Sequence, residues 1–250
     1  MIEIPRENQL DLSWEKKLLD QSICSARSWR YINMIVGFPE DVRGLKVLDV
    51  GGGGSDATAV LLEKGADAWA IDPRYKSRSD VKGKVRQYLL ELTQRWGKKP
   101  PWDEFIRSQE KALERFIRSA RERPERYIVA YASSIPFPDN YFDFVFSTNC
   151  ITEYLDVRPE TFLAAISECV RVTKPCGQIH VFPFEDFYLE EDLPRLNPEE
   201  QRSYNMTYHA RRENQARLLE LLEESGILDY AIFEVMESNH KKLVIYKKPV

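Results

Sequence analysis

The chain has 250 residues, of which 43% are hydrophobic and 30% charged, with a formal net charge of -4. That composition is expected of a soluble globular protein able to bury a core, and it excludes large-scale disorder and a dedicated nucleic-acid coat. No N-terminal stretch joins a basic start to a continuous apolar core and a cleavage site, and no window approaches about 18 apolar residues, so a cytoplasmic protein with no membrane association is expected.

The first predicted element is a helix from Ser13 to about Val36, with Trp14, Leu18, Tyr31, Ile32 and Ile35 at roughly helical intervals. Gly37, Pro39 and Gly44 break the chain. Lys46 to Val50 then reads as a strand buried on both faces. A glycine run follows, and Ser55 can cap a helix that carries Ala59, Leu61 and Leu62 and stops at Gly65. Asp67 to Asp72 is the second strand. Strand, helix, strand in this order predicts a parallel sheet with crossover helices.

About fifty residues, from Tyr75 to Arg126, separate that strand from the next, where a crossover needs a dozen or a few more. They read as two helices, about Val81 to Trp96 and Trp102 to Glu122, parted by Pro100 and Pro101. Leu89, Leu90 and Leu92 in the first and Phe105, Ile106, Leu113, Phe116 and Ile117 in the second form apolar faces that could pack together or against the N-terminal helix. Between Arg74 and Tyr127 sixteen Lys and Arg stand against eight Asp and Glu, so the outward face of this insertion is expected to be basic.

Strands are predicted at Tyr127 to Ala132, Phe142 to Ser147 and Gln178 to Phe182. A helix with Pro159 in its first turn lies between the last two. Asp139-Asn140 reads as turn chemistry. A polar connection from Glu185 to Asn205 leads to a final helix that ends near Gly226. Two further runs, Tyr230 to Met236 and Lys242 to Tyr246, are too close for a crossover and predict an antiparallel hairpin. Cys24, Cys150, Cys169 and Cys176 form no C-x-x-C pair and no zinc-type spacing with the histidines, so reduced, mostly buried thiols and no metal are expected.

The stretch VLDVGGGGSDATAV, Val47 to Val60, carries the chemistry. Glycines between a buried strand and a helix let a ligand approach bare backbone. Gly52-x-Gly54-x-x-Ala57 satisfies a dinucleotide fingerprint, with Asp72 at the position of a ribose-binding acid. Asp49 at the strand end and Asp56 in the expected first helical turn are both repulsive to a pyrophosphate. A cationic ligand without phosphate fits better, and S-adenosylmethionine carries a sulfonium and an ammonium.

These residues resemble the first motif of the class I S-adenosylmethionine-dependent methyltransferases, with Asp49, Gly51 and Gly53 matching and Ser55 in place of a frequent third glycine. Asp72 at the end of AWAID matches the acid that bonds the ribose hydroxyls in that family. SSIPFPDNYFDFVFS (Ser133 to Ser147) and RVTKPCGQIHVF (Arg171 to Phe182) are similar to two later family stretches, and all four occur in order. The resemblance implies a Rossmann-like, doubly wound α/β fold: a seven-stranded, mostly parallel sheet with an antiparallel last strand. Here a helical insertion (about 75–126) separates strands two and three. It divides the chain into an N-terminal helical segment, 1–44, and a methyltransferase domain, 45–250. Tyr131 stands where the family commonly has an adenine-binding acid, and Cys176 replaces the first glycine of a proline-glycine-glycine turn.

The resemblance assigns cofactor binding to Asp49, Gly51, Gly52, Gly53, Asp72, Ala132, Ser133 and Asn149. Glu153 and Tyr154, beyond strand four, are candidates for substrate contact, and no catalytic residue is identifiable. Methyl transfer from a sulfonium is governed by alignment, and a dedicated base is optional, which is why the acceptor is not legible. The leading expectation is transfer to a small molecule. The alternatives are an RNA or protein methyltransferase using the basic insertion, and a non-catalytic binding module or partner subunit; a nicotinamide-dependent oxidoreductase stands last.

Overall fold

The computed structural model describes residues 26–76, 83, 85–87, 89, 102–154, 159–186, 215–226, 228–235 and 240–249. Most of the helix expected at Val81 to Trp96, including Leu90 and Leu92, lies outside them, as do Cys24 and the connection after Asp186. The sheet has seven strands in the order β3-β2-β1-β4-β5-β7-β6. The chain forms two compact units, whose described residues run from Ala26 to Tyr131 and from Ala132 to Pro249.

In the first unit, α1 (Trp29–Val36) is shorter than its periodicity suggested. Ala26 to Ser28 are not helical, and the Ser28 hydroxyl accepts a hydrogen bond from the Tyr31 N–H at 3.5 Å, so the helix begins at a cap. At its other end Gly37 takes φ 72°, a left-handed stop. β1 (Lys46–Val50) and β2 (Asp67–Ile71) pair in parallel, with Asp49 opposite Ala70. Between them runs α2 (Ala57–Glu63), buried along most of its length. The third strand, β3 (Tyr127–Ile128), pairs in parallel with β2 and is only two residues long, not the six expected.

The second predicted helix of the insertion is present over the expected range as α3 (Trp102–Glu122). It is part of the core. Leu113, Phe116 and Ala120 join Ala26, Ala70, Tyr75, Val85, Leu89 and Tyr127 in one buried cluster, with Phe105, Ile106 and Ile117 packed against it. Tyr75 stacks on Phe116 at 5.8 Å and meets Tyr127 edge-on, and each such aromatic pair adds about 0.5–1.5 kcal/mol beyond area burial. α3 thus serves as the helix that covers β2 and β3. The basic outward face expected of the insertion is not on α3: Arg107, Lys111, Arg118 and Arg121 alternate along its exposed side with Glu104, Glu114 and Glu122.

The second unit holds β4 (Phe142–Thr148), α4 (Pro159–Val172), β5 (Thr173–Asp186), a helix α5 (215–224), β6 (Leu228–Glu234) and β7 (His240–Lys247). β4 and β5 pair in parallel. β7 is antiparallel to both β5 and β6, so the expected hairpin is present and gives the sheet its reversed strand. β5 starts five residues before its predicted Gln178, at Thr173, which pairs with Phe142 of β4 ahead of a register shift, and it runs on to Asp186. Within that stretch Cys176 adopts φ 65°, and a Cβ on Gly177 would stand 2.6 Å from the Thr173 methyl. Cys169 is buried and Cys150 half-buried, but Cys176 is exposed, against the expectation of buried thiols. Asn140 also takes a left-handed φ of 56°, and the Asp139-Asn140 turn is formed.

Candidate functional site

The end of β1 and the turn after it place two carboxylates beside a stretch of bare backbone. Gly52 is held by space: a Cβ there would lie 2.7 Å from the Tyr75 hydroxyl and 3.0 Å from Asp49 Oδ2. Gly51 and Gly53 are needed for conformation, with φ of 77° and 52°. Alanine at Gly52 would therefore push apart the wall made by Tyr75 and Asp49.

The amides of this turn point into the protein. Gly51 and Gly52 both donate to the Ile71 carbonyl, at 2.8 and 3.3 Å, and Gly53 donates to Asp72 Oδ2 at 3.1 Å. Ser55 donates to the Gly52 carbonyl at 3.0 Å, Asp56 to the Arg27 carbonyl at 3.3 Å, and Ala57 to the Ser55 hydroxyl at 3.1 Å. A pyrophosphate site needs free N–H groups at this turn and at the helix start. Six of them are already committed.

Asp72 receives N–H groups on both oxygens, from Gly53 and, at 2.8 Å, from Arg74. Each oxygen keeps a further lone pair, so the carboxylate is oriented without being saturated. Burial raises its pKa above the ordinary carboxylate range, opposed by the Arg74 N–H and charge and by the Gly53 N–H. Asp49 is more extreme: burial, and then the negative charge of Asp72, push its pKa well above that range. A buried acid set beside a second negative charge is stabilised in its ionised form by an incoming cation.

Asp56 has a different part from the one expected. It is the N-cap residue of α2, not a first-turn anion. Its carboxylate accepts the Trp29 N–H at the start of α1 and an Arg115 Nη1 hydrogen bond at 3.1 Å from α3. Its charge is spent in joining three segments, and only Asp49 and Asp72 remain as the acids of the turn. Ser55, expected to cap this helix, stands one residue before the cap Asp56, and its hydroxyl accepts the Ala57 N–H two residues on.

In the second unit Ala132 is buried and Ser133 half-buried in a tight turn after Tyr131. Asn149, following β4, adopts φ 52°, donates its N–H to the Phe182 carbonyl at 2.7 Å, and keeps its side-chain oxygen enclosed without a hydrogen bond. Glu153 and Tyr154 end a short 3-10 turn, Ile151–Tyr154; their side chains lie outside the described residues. The structure thus gathers Asp49, Gly51, Gly52, Gly53 and Asp72 into one cluster. Ala132, Ser133 and Asn149 sit in loops of the second unit.

Sequence reasoning missed Arg171 and Glu168. Arg171 donates from Nε to Glu168 Oε1 at 2.7 Å, from Nη2 to Glu168 Oε2 at 2.7 Å and the Ile135 carbonyl at 2.8 Å, and from Nη1 to the Phe137 carbonyl and Asp139 Oδ1, both at 2.8 Å. The signal was Arg171 opening RVTKP, a stretch read only for its resemblance. Among the described residues no group of three or more His, Cys, Asp or Glu comes together as a metal site, and no helix is long and apolar enough to cross a membrane.

Residues 106–181 match the family model described as a methyltransferase domain. The match takes in Ala132, Ser133, Asn149 and Arg171 and begins after the glycine turn. Nothing matches among curated proteins. Among solved structures the chain is similar to a candidate S-adenosyl-L-methionine-dependent methyltransferase of Methanococcus maripaludis, at 16% identity over 89% of this chain and 84% of that one, with a TM-score of 0.47. It is also similar to a SAM-dependent methyltransferase of Aquifex aeolicus, at 19% identity, 97% and 100% coverage and a TM-score of 0.42. A third is the Burkholderia thailandensis 1,6-didemethyltoxoflavin-N1-methyltransferase with bound 1,6-didemethyltoxoflavin and S-adenosylhomocysteine, at 16% identity, 96% and 82% coverage and a TM-score of 0.41.

The seven-stranded sheet with one reversed strand, the glycine turn after β1 and the acid after β2 are the features the resemblance implies, and residues 106–181 match a methyltransferase-domain model. Over residues 106–181 the chain is similar to the methyltransferase-domain family, and its sheet is the Rossmann-like one expected from the resemblance.

Proposed function

We propose that the protein binds S-adenosylmethionine at the turn Gly51 to Gly53 and transfers its methyl group to a small-molecule acceptor in the cytoplasm. The observation that carries this reading is a turn with six committed amides beside two buried acids: it disfavours a diphosphate and favours a cation. The residues fit the cofactor. Gly52 leaves the space that a Cβ would fill, Asp72 has acceptor capacity for ribose hydroxyls, and Asp49 supplies negative potential. The resemblance assigns Ala132, Ser133 and Asn149 to the same ligand.

When bound, the cofactor would supply an electrophilic methyl carbon, with a neutral thioether as its leaving group. The chain's work is to hold and align. Asp72 orients the nucleoside through a carboxylate fixed by the Gly53 and Arg74 amides. Asp49 would supply negative potential toward the cofactor's positive charge. Glu153 and Tyr154 are proposed acceptor contacts.

Titration calorimetry with S-adenosylmethionine, S-adenosylhomocysteine and NAD tests the reading. The first two are expected to bind and NAD is not; binding of NAD alone would overturn it. Asp72→Ala is expected to weaken S-adenosylhomocysteine by about 1.5–3 kcal/mol, the usual value of hydrogen bonds to a charged group. Unchanged affinity would remove Asp72 from the site.

A further inference from the structure

We infer that Arg171, with Glu168, is a positioning residue for the base end of the cofactor: it sets the loop that runs from Ala132 to Asn140 and so fixes discrimination for the adenine ring. This rests on the proposed S-adenosylmethionine reading, in which Ala132 and Ser133 contact the base.

All five guanidinium N–H groups are used, and three of the bonds go to this one loop: the carbonyls of Ile135 and Phe137 and the carboxylate of Asp139. The remaining two form a fork with Glu168, the geometry in which an arginine loses least freedom per bond. Glu168 completes the brace, because its Oε2 also accepts the Ile135 N–H at 2.8 Å. The last two carbonyls of α4 add two further ties, accepting the Asn140 N–H at Arg171 (2.9 Å) and the Tyr141 N–H at Val172 (2.8 Å). On the other side Phe137 packs on the rings of Tyr141 and Phe142 at 5.5 and 4.8 Å.

The loop begins directly at Ala132 and Ser133, so its path decides where their backbone groups point. By the family resemblance, Tyr131 stands where an acid commonly recognises the base. Recognition of the base then falls to the Ala132 or Ser133 backbone, the Ser133 hydroxyl or the Tyr131 ring, and the loop's path sets the first two. A lysine at position 171 would keep a charge but has three donors on a single nitrogen and cannot span Ile135, Phe137 and Glu168 together.

The experiment compares S-adenosylhomocysteine with S-inosylhomocysteine, which carries a carbonyl where adenine has its amino group, on the full chain and on Arg171→Lys. Wild type is expected to prefer the adenine ligand. In Arg171→Lys that affinity is expected to fall about tenfold, the equivalent of one or two hydrogen bonds, while the inosine ligand changes little, so the preference shrinks. A merely structural role would weaken both ligands in proportion, and that result, or no change in either, overturns the inference. If wild type binds neither ligand the cofactor reading itself falls, and the inference with it. Should Arg171→Lys fail to fold, Asp139→Ala removes the most exposed anchor alone and is expected to shift the preference in the same direction by less; an unchanged preference there overturns the inference equally.

Discussion

Asp49 is buried at the end of β1, and its burial and the adjacent Asp72 raise its pKa well above the ordinary carboxylate range. A carboxyl whose folded pKa exceeds its unfolded one binds its proton more tightly when folded. Stability from this group is therefore present below the unfolded value and declines as pH rises toward the folded one. Two outcomes are expected. Without ligand, Asp49→Asn melts at a higher temperature than wild type at pH 8, and the wild-type loss between pH 5 and pH 8 becomes smaller; an identical pH profile would show that Asp49 does not titrate there. With ligand the sign reverses: a bound sulfonium favours ionised Asp49, so wild type releases a proton on binding S-adenosylmethionine and the variant binds more weakly. Buffers of different ionisation enthalpy read that proton directly.

The elements owe their stability to faces that the sequence pattern predicts well, and α3 shows both the rule and its exception. Leu113, Phe116 and Ala120 line its buried side at helical spacing, but so does Gln109, which is 1% exposed with neither amide atom hydrogen-bonded. A polar group enclosed without a partner costs about 1–3 kcal/mol. Gln109→Leu, close in volume, is expected to raise unfolding stability by about 1–2 kcal/mol in a denaturant titration; a loss would mean that the amide finds a partner in solution. At α1 and β3 pattern reasoning overran the observed element. The Ser28 cap stops α1 where apolar periodicity alone would continue it, and strand-like residues after Ile128 are drawn off into the turn at Ala132. A capping bond and a backbone turn are decided by a few atoms, which a periodicity cannot register.

Across the whole molecule, charge is where sequence counting and structure diverge most. The basic excess between Arg74 and Tyr127 is real, but on the exposed side of α3 Glu104, Glu114 and Glu122 interrupt Arg107, Lys111, Arg118 and Arg121, so α3 offers no continuous positive stripe. A nucleic-acid acceptor needs such a stripe to track phosphates. Retention of single-stranded RNA is accordingly expected to be absent at about 150 mM salt, the ionic strength near which exposed charges are screened beyond about 8 Å. Tight retention there, falling steeply with added salt, would favour the RNA reading over a small-molecule acceptor.

The amino-acid order by itself determined the alternation of strands and helices, the reversed final hairpin, the acids at positions 49 and 72 and the glycines that part them, because burial periodicity and bare backbone leave direct marks in a sequence. Only the tertiary structure decided that the amides of the glycine turn face inward, that Asp56 is spent on Trp29 and Arg115, and that Arg171 and Glu168 hold the loop after Ala132. Those contacts join residues tens of positions apart, and hydrogen bonds of that span depend on where the packed elements bring their ends rather than on any local pattern.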